Sequence, residues 1–220
     1  MATELTGVFV GTPVPLQPEG QLSSIVKHPV TGRVHVDAEG LTGDEQGDRR
    51  VHGGPEKAVH FYPPENYQRL ASARPELAEA LQVGVLGENL SAPGLTEAEV
   101  CIGDIFSIGT VVLQVSQPRR PCWKIDNRLG SPGLNQVVVK LGCPGWYARV
   151  LNPGELGIGD AIELLERPAP GLSLARLLAA DRDHRPDPAE LQVLAGAVGL
   201  NEDWQARLLR RAQWLSQRAP

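Results

Sequence analysis

Cysteine is scarce in this 220-residue chain, and the three it has, Cys101, Cys122 and Cys143, are too far apart to form a CxxC pair. An odd, widely spaced set argues against both a disulfide framework and a structural zinc site, and makes a reducing cytoplasm the default compartment. No apolar run is long enough to span a bilayer. The start, "MATELTGVFVGTPVP", lacks the basic stretch and apolar core of a signal peptide. There is no GxxxxGK[ST] loop, no GxGxxG, and no haem or flavin motif, so nucleotide-driven and dinucleotide chemistry have no sequence support. Excess positive charge is missing as well. The formal net charge is -5, which gives no general encouragement to binding a nucleic-acid polymer.

What is present is ordinary globular material: 41% hydrophobic and 21% charged residues, enough for a real core. Glycine and proline recur through the first 171 residues and separate short β-rich runs, "GVFVG", "SSIVKHPVTGRVHVD", "FSIGTVVLQVSQ" and "DAIELLER". The nearly continuous apolar run Val111 to Val115 suits a strand buried on both faces. Two segments, "CIGDIFSIG" and "GIGDAIELL", each place Ile-Gly-Asp ahead of a strand, which is a turn that sets register. One helical stretch, "PPENYQRLASARPELAEAL", interrupts this part and is broken at Pro75. The pattern predicts a mainly-β, closed or strongly curved barrel with few helices over residues 1–167.

After the linker "PAPG" the strand signals stop. Ser173 is placed to cap a helix carrying Leu174, Leu177 and Leu178. Asp187-Pro188 starts a second, with Leu191, Leu194 and Val198 on one face and Gly199 as its stop. Asn201 caps a third through Trp204, Leu208, Ala212 and Leu215. Residues 172–220 therefore read as a small three-helix domain, too small to be stable without the main one.

Chemistry is concentrated in "SQPRRPCWK". Cys122 lies among Arg119, Arg120 and Lys124, and cations lower a thiol's pKa toward the thiolate that attacks or binds soft metals. Cys101 and Cys143 lack this company; Cys101 reads as core and Cys143 as part of a turn. In "GLTGDEQGDRRVHGGPEKAVHFY", Gly53, Gly54 and Pro55 let the backbone approach a ligand closely, flanked by His52 and Lys57, with His60 opening the next strand. The same residues are compatible with a plain tight turn. Asp44, Glu45 and Asp48 have no EF-hand spacing and read as solvated carboxylates. Asn89, in "GVLGENL", is either a turn residue or a two-sided hydrogen-bonder. Arg207, Arg210 and Arg211 line the polar face of the last helix.

Taken in order, "GLTGDEQGDRRVHGGPEKAV", "GENL…GLTEAEVCIGD" and "LQVSQPRRPCWK" resemble the MOSC domain, the molybdenum cofactor sulfurase C-terminal domain family. The tail is similar to the extra domain of that family's bacterial hydroxylaminopurine-resistance branch. The resemblance implies a MOSC-type β-barrel and a molybdenum cofactor (molybdopterin) held near Cys122 as thiolate ligand to molybdenum. Arg119, Arg120 and Lys124 are then placed to bind the cofactor's phosphate, Asn89, Ser116 and Gln117 its pterin, and Gly53 and Gly54 line the same cleft. At family level the resemblance extends to pyridoxal phosphate binding. The implied activity is reduction of N-hydroxylated bases, hydroxylamines or amidoximes to amines, with His52 or His60 as the acid and a separate flavoprotein reductase as electron donor. Two alternatives stay open: a non-catalytic carrier of the cofactor or its sulfur on Cys122, and a metal-free cysteine hydrolase. A homodimer is likewise open, since related barrels pair.

Overall fold

The computed structural model describes residues 3–17, 20–47 and 53–217. The mainly-β expectation is met by a nine-stranded sheet curled into a half-barrel. In chain order its strands are β1 (Thr3–Glu4), β2 (Gly7–Val10), β5 (His28–Pro29), β8 (Val59–Phe61), β9 (Leu90–Ser91), β10 (Ile105–Ile108), β11 (Val111–Pro118), β12 (Trp146–Asn152) and β14 (Ala161–Glu166). Across the sheet the order is β1-β14-β10-β11-β12-β8-β9-β2-β5, antiparallel except for β8 against β9. The two outer regions of this sheet are only two residues apart in the chain. Leu5 N donates to Asp160 O beside β14 (2.9 Å), and Thr6 N donates to Ser91 O of β9 (2.9 Å), so the first ten residues stitch the curled ends together. Two small sheets complete the shell: β6 (Val34–Asp37) between β7 (Gly40–Leu41) and β13 (Gly154–Leu156), and the hairpin β3 (Val14–Leu16) with β4 (Gln21–Ser23).

The two Ile-Gly-Asp turns fold alike. Asp104 Oδ2 accepts from Cys101 N (2.8 Å) and Asp160 Oδ2 from Gly157 N (2.9 Å), each reaching back three residues. Arg167 and Arg33 neutralise these two carboxylates. The turns launch β10 and β14, which pair with each other. The run Val111 to Val115 alternates, with Val111, Leu113 and Val115 buried and Val112 and Gln114 half-buried, so only one face of the strand meets the core. Inside the barrel Trp146 stacks on Phe61, ring centroids 4.5 Å apart and planes 5° from parallel.

Helix α1 (Pro64–Ala73) ends before Pro75, as proline chemistry requires. Two further helices, α2 (Trp123–Leu129) and α3 (Leu134–Leu141), stand where no helix is expected from the residue pattern. With α1 they cover a second apolar cluster containing Tyr62, Tyr67, Leu70, Ile125 and Leu134.

The tail forms α4 (Leu174–Arg182), α5 (Pro188–Ala195) and α6 (Glu202–Ser216). Ser173 Oγ, Asp187 Oδ1 and Asn201 Oδ1 cap them by accepting from Arg176 N, Ala189 N and Asp203 N. The second helix stops at Gly196 rather than Gly199, and Val198 is exposed. Gly199 has another task. A Cβ there would lie 2.6 Å from Gly103 Cα, and one on Gly103 would lie 2.1 Å from Val198 O. Both glycines also have positive φ, 90° and 75°. They let the α5–α6 loop sit directly on the turn before β10. Leu174, Leu177, Leu191, Trp204 and Leu208 join the same apolar cluster as the barrel strands.

Candidate functional site

β11 delivers its end rigidly, because Arg119 N donates to Gly145 O (3.0 Å) beside β12. Two prolines then stiffen the short path to Cys122, whose extended backbone (φ -129°, ψ 170°) precedes α2. The thiol is half-buried and lines an open cleft holding about 600 Å³ of empty space, mouth included. Four cations line the same cleft, Arg119, Lys124, Lys27 and Lys57, against two carboxylates, Asp44 and Glu45. Among the described residues no carboxylate lies within ion-pair distance of Arg119 or Lys124. Arg119 is buried, donates from Nη1 to Leu86 O (2.9 Å), and Lys124 Nζ reaches Leu22 O at 3.4 Å.

One wall is a polar chain closed on itself. Asp44 Oδ1 accepts from Lys27 Nζ and from Gly11 N (2.8 Å), while Oδ2 accepts from Asn89 Nδ2 (2.9 Å). Asn89 Oδ1 in turn accepts from His60 N (3.0 Å), and its amide also donates to Phe9 O (3.3 Å). Asn89 is thereby committed to bracing β8 and Asp44. Burial lowers the Lys27 pKa, opposed by Asp44. The His60 imidazole lies against Gly87 O (Nδ1···O 3.2 Å). Burial, helped by the charge of Arg119, pushes its pKa well below the ordinary histidine value. A neutral His60 with Nδ1–H turned to Gly87 carries no imidazolium proton to donate near pH 7. Tyr147 lies beside it, ring centroids 5.1 Å apart, and burial raises its hydroxyl pKa.

The fold thus gathers Cys122, Arg119, Lys124, Asn89 and His60 in one cleft and places Arg120, Ser116, Gln117, Gly53 and Gly54 outside its lining. Arg120 faces away, its guanidinium 4.6 Å from the Trp204 ring centre, because neighbours on an extended segment point to opposite sides. Ser116 Oγ lies 2.6 Å from Glu56 O and 3.0 Å from Tyr147 O, and Gln117 Nε2 donates to Glu56 O (3.2 Å). Both side chains hold the Pro55–Lys57 turn from below and leave the cleft wall to others. Gly53 and Gly54 lead into that turn outside the cleft lining. His52 and Asp48 lie outside the described residues. Cys143 is buried and its pKa is pushed up to about 12, chiefly by desolvation, so it stays a thiol. Asp44 is no solvated carboxylate but half of a buried ion pair. Its partner Lys27 was invisible as a site residue, because nothing in "SSIVKHPV" signals that the ammonium turns inward.

The sequence model of the MOSC domain matches residues 48–163, more than half of the chain. The chain belongs to the MOSC domain family. Protein YiiM of Escherichia coli (strain K12) is 38% identical to this MOSC protein over 195 residues, covering 88% of this chain and 86% of that one. A protein named Reductase from Gibberella moniliformis is 40% identical over 153 residues, 69% of this chain but 27% of that one. The crystal structure of YiiM from Escherichia coli superposes with a TM-score of 0.82 at 30% identity, covering 97% of this chain and 94% of that one. The matched MOSC region contains Cys122, Arg119, Lys124, Asn89 and His60, while Lys27 and Asp44 enter the cleft from outside it.

The family is named for a molybdenum cofactor protein, and the donor set fits such a group. Among the described residues no cluster of three or more His, Cys, Asp or Glu could hold a metal alone. A single thiol suits a metal that brings its own soft ligands, and the surplus cations suit a phosphate. No helix among the described residues is long and apolar enough to cross a membrane.

Proposed function

We propose that this protein is a molybdenum-cofactor-dependent reductase that converts small N-hydroxylated compounds (hydroxylaminopurine-type bases, hydroxylamines and amidoximes) to the amines. The observation that carries this reading is the single cleft in which the Cys122 thiol meets Arg119, Lys124, Lys27 and Lys57. The relative named Reductase, alike over 69% of this chain, supports a reductive activity. The overall change is R–NHOH + 2 e⁻ + 2 H⁺ → R–NH₂ + H₂O, in which the N–O bond breaks and its oxygen leaves as water. When bound, the cofactor supplies the two-electron, oxygen-accepting metal centre.

The chain's own residues hold, orient and protonate. Cys122 Sγ is the protein ligand, free as a thiolate ligand must be. Arg119 and Lys124, which have no carboxylate within ion-pair distance among the described residues, would receive the cofactor's phosphate. Asn89 and Asp44 brace the cleft wall that would face the pterin. With His60 neutral, Lys27 is the candidate proton donor in the cleft wall, because burial eases its ammonium proton toward release. Electrons come from a separate reductase, in this reading a flavoprotein.

The test uses a reduced viologen as artificial donor with 6-hydroxylaminopurine and benzamidoxime. Cofactor-loaded protein should release adenine and benzamidine, and Cys122→Ser should abolish turnover while its melting temperature stays at the wild-type value. A serine variant that turns over normally would remove Cys122 from the chemistry. Loaded wild-type protein that never reduces either substrate would point instead to a carrier of the cofactor.

A further inference from the structure

Arg120 serves a different cleft from the one that holds Cys122. Behind the Arg119–Pro121 segment lies a second cavity, enclosing about 610 Å³ of empty space with its mouth included, between the barrel and the tail helices. Four guanidiniums line it, Arg119, Arg120, Arg182 and Arg207, against one carboxylate, Asp181. That carboxylate is already committed, hydrogen-bonded to Arg207 (2.7 Å) and 3.9 Å from Arg211. Arg182 donates to Val139 O (2.8 Å) at the end of α3, and Arg119 to Leu86 O. Arg120 alone of the four donates no hydrogen bond to any acceptor among the described residues. Asp181 and Asp203 attract it only from beyond hydrogen-bond distance, while burial and the charge of Arg207 lower its pKa. Arg120 and Arg207 both lie over the one indole of Trp204, at 4.6 and 5.5 Å from its centre. The remaining lining is largely apolar, from Val139, Pro144 and Leu178.

Two guanidiniums crowded on one aromatic ring, with fewer carboxylates than charges, lack an oxyanion. An apolar wall beside them fits the body that carries it. The geometry points to this second cavity as a binding site for a phosphate ester with a flat aromatic body, of the class of a purine nucleoside monophosphate. The phosphate bridges Arg120 and Arg207 through charge-assisted bonds, and the ring lies on the apolar wall or on the outer face of the Arg120 guanidinium. The cavity shares Arg119 with the Cys122 cleft, so the phosphate ester is either a free nucleotide or the nucleotide end of a ligand seated beside Cys122. The inference does not depend on the redox reading of that cleft.

Titration calorimetry with adenosine 5′-monophosphate tests the first source. Binding should weaken by about tenfold or more in Arg120→Ala, and Lys124→Ala, altered only in the Cys122 cleft, should bind as wild type does. Chromatography of the supernatant after heat denaturation tests the second: wild-type protein releases a nucleotide that Arg120→Ala carries in much smaller amount. Arg120 makes no hydrogen bond among the described residues, so equal melting temperatures verify the fold of the variant. Nucleotide binding that responds to Lys124→Ala and not to Arg120→Ala overturns the assignment. So does wild-type protein that neither binds nor releases a nucleotide.

Discussion

Whether His60 is an acid depends on what surrounds its ring. Buried beside Arg119, it has a folded pKa well below the ordinary 6.5. The folded chain therefore binds fewer protons than the unfolded chain as pH falls through 6.5. The stability contributed by the neutral ring is complete above that value and is lost as pH drops toward the folded pKa. Nitrogen-detected NMR should find His60 neutral with its proton on Nδ1 at pH 6, and urea midpoints should fall between pH 7 and pH 5 less steeply in His60→Gln than in wild type. A His60 imidazolium at pH 6.5 would contradict this and restore it as a proton donor. The other site residues show what a linear reading can find. Cys122, Arg119 and Lys124 were legible because they share one nine-residue run. Lys27 and Asp44 were not, since their ion pair joins positions 17 apart that only folding brings together. Arg120 misled for the opposite reason: adjacency in sequence on an extended segment puts two side chains on opposite sides.

Among the elements, caps and turns were the readable part. Ser173, Asp187 and Asn201 start their helices because short polar side chains satisfy the first-turn N–H groups wherever they occur. α3 was hidden by Val137, Val138 and Val139, a β-branched run that propensity assigns to a strand. Left-handed glycines at both ends and the buried face of Leu134 and Val138 override that preference. Gly199 looked like a helix stop, but its contact with Gly103 is tertiary and has no local signature. Asn201 carries two loads. It caps α6, and its Nδ2 donates to Glu56 Oε2 (3.4 Å), which Arg149 also holds beneath the Pro55–Lys57 turn. Asn201→Ala should therefore cost about 1–2 kcal/mol in urea denaturation. An unchanged midpoint would show that the cap is supplied by something else.

At the scale of the whole molecule, net charge and local charge have opposite signs. A chain of net charge -5 builds a cleft where cations outnumber carboxylates, because the curled sheet brings the ends of β8 and β11 together with the start of α2. Overall charge governs solubility and says nothing of such a concave site. The barrel was legible from short strands and glycine turns, and the family from three motifs in order. The seating of the tail was not, because its leucines and Trp204 enter the same apolar cluster as the barrel through long-range contacts. The account stands or falls on what the Cys122 cleft holds. The chain should be purified under gentle lysis from a host that makes the cofactor, then assayed for molybdenum by mass spectrometry and for pterin by fluorescence after oxidation. Wild-type protein is predicted to carry both in equal amounts, with molybdenum lost in Cys122→Ser. Wild-type protein free of both, or a serine variant that keeps its molybdenum in full, would contradict the claim that this cysteine anchors the cofactor.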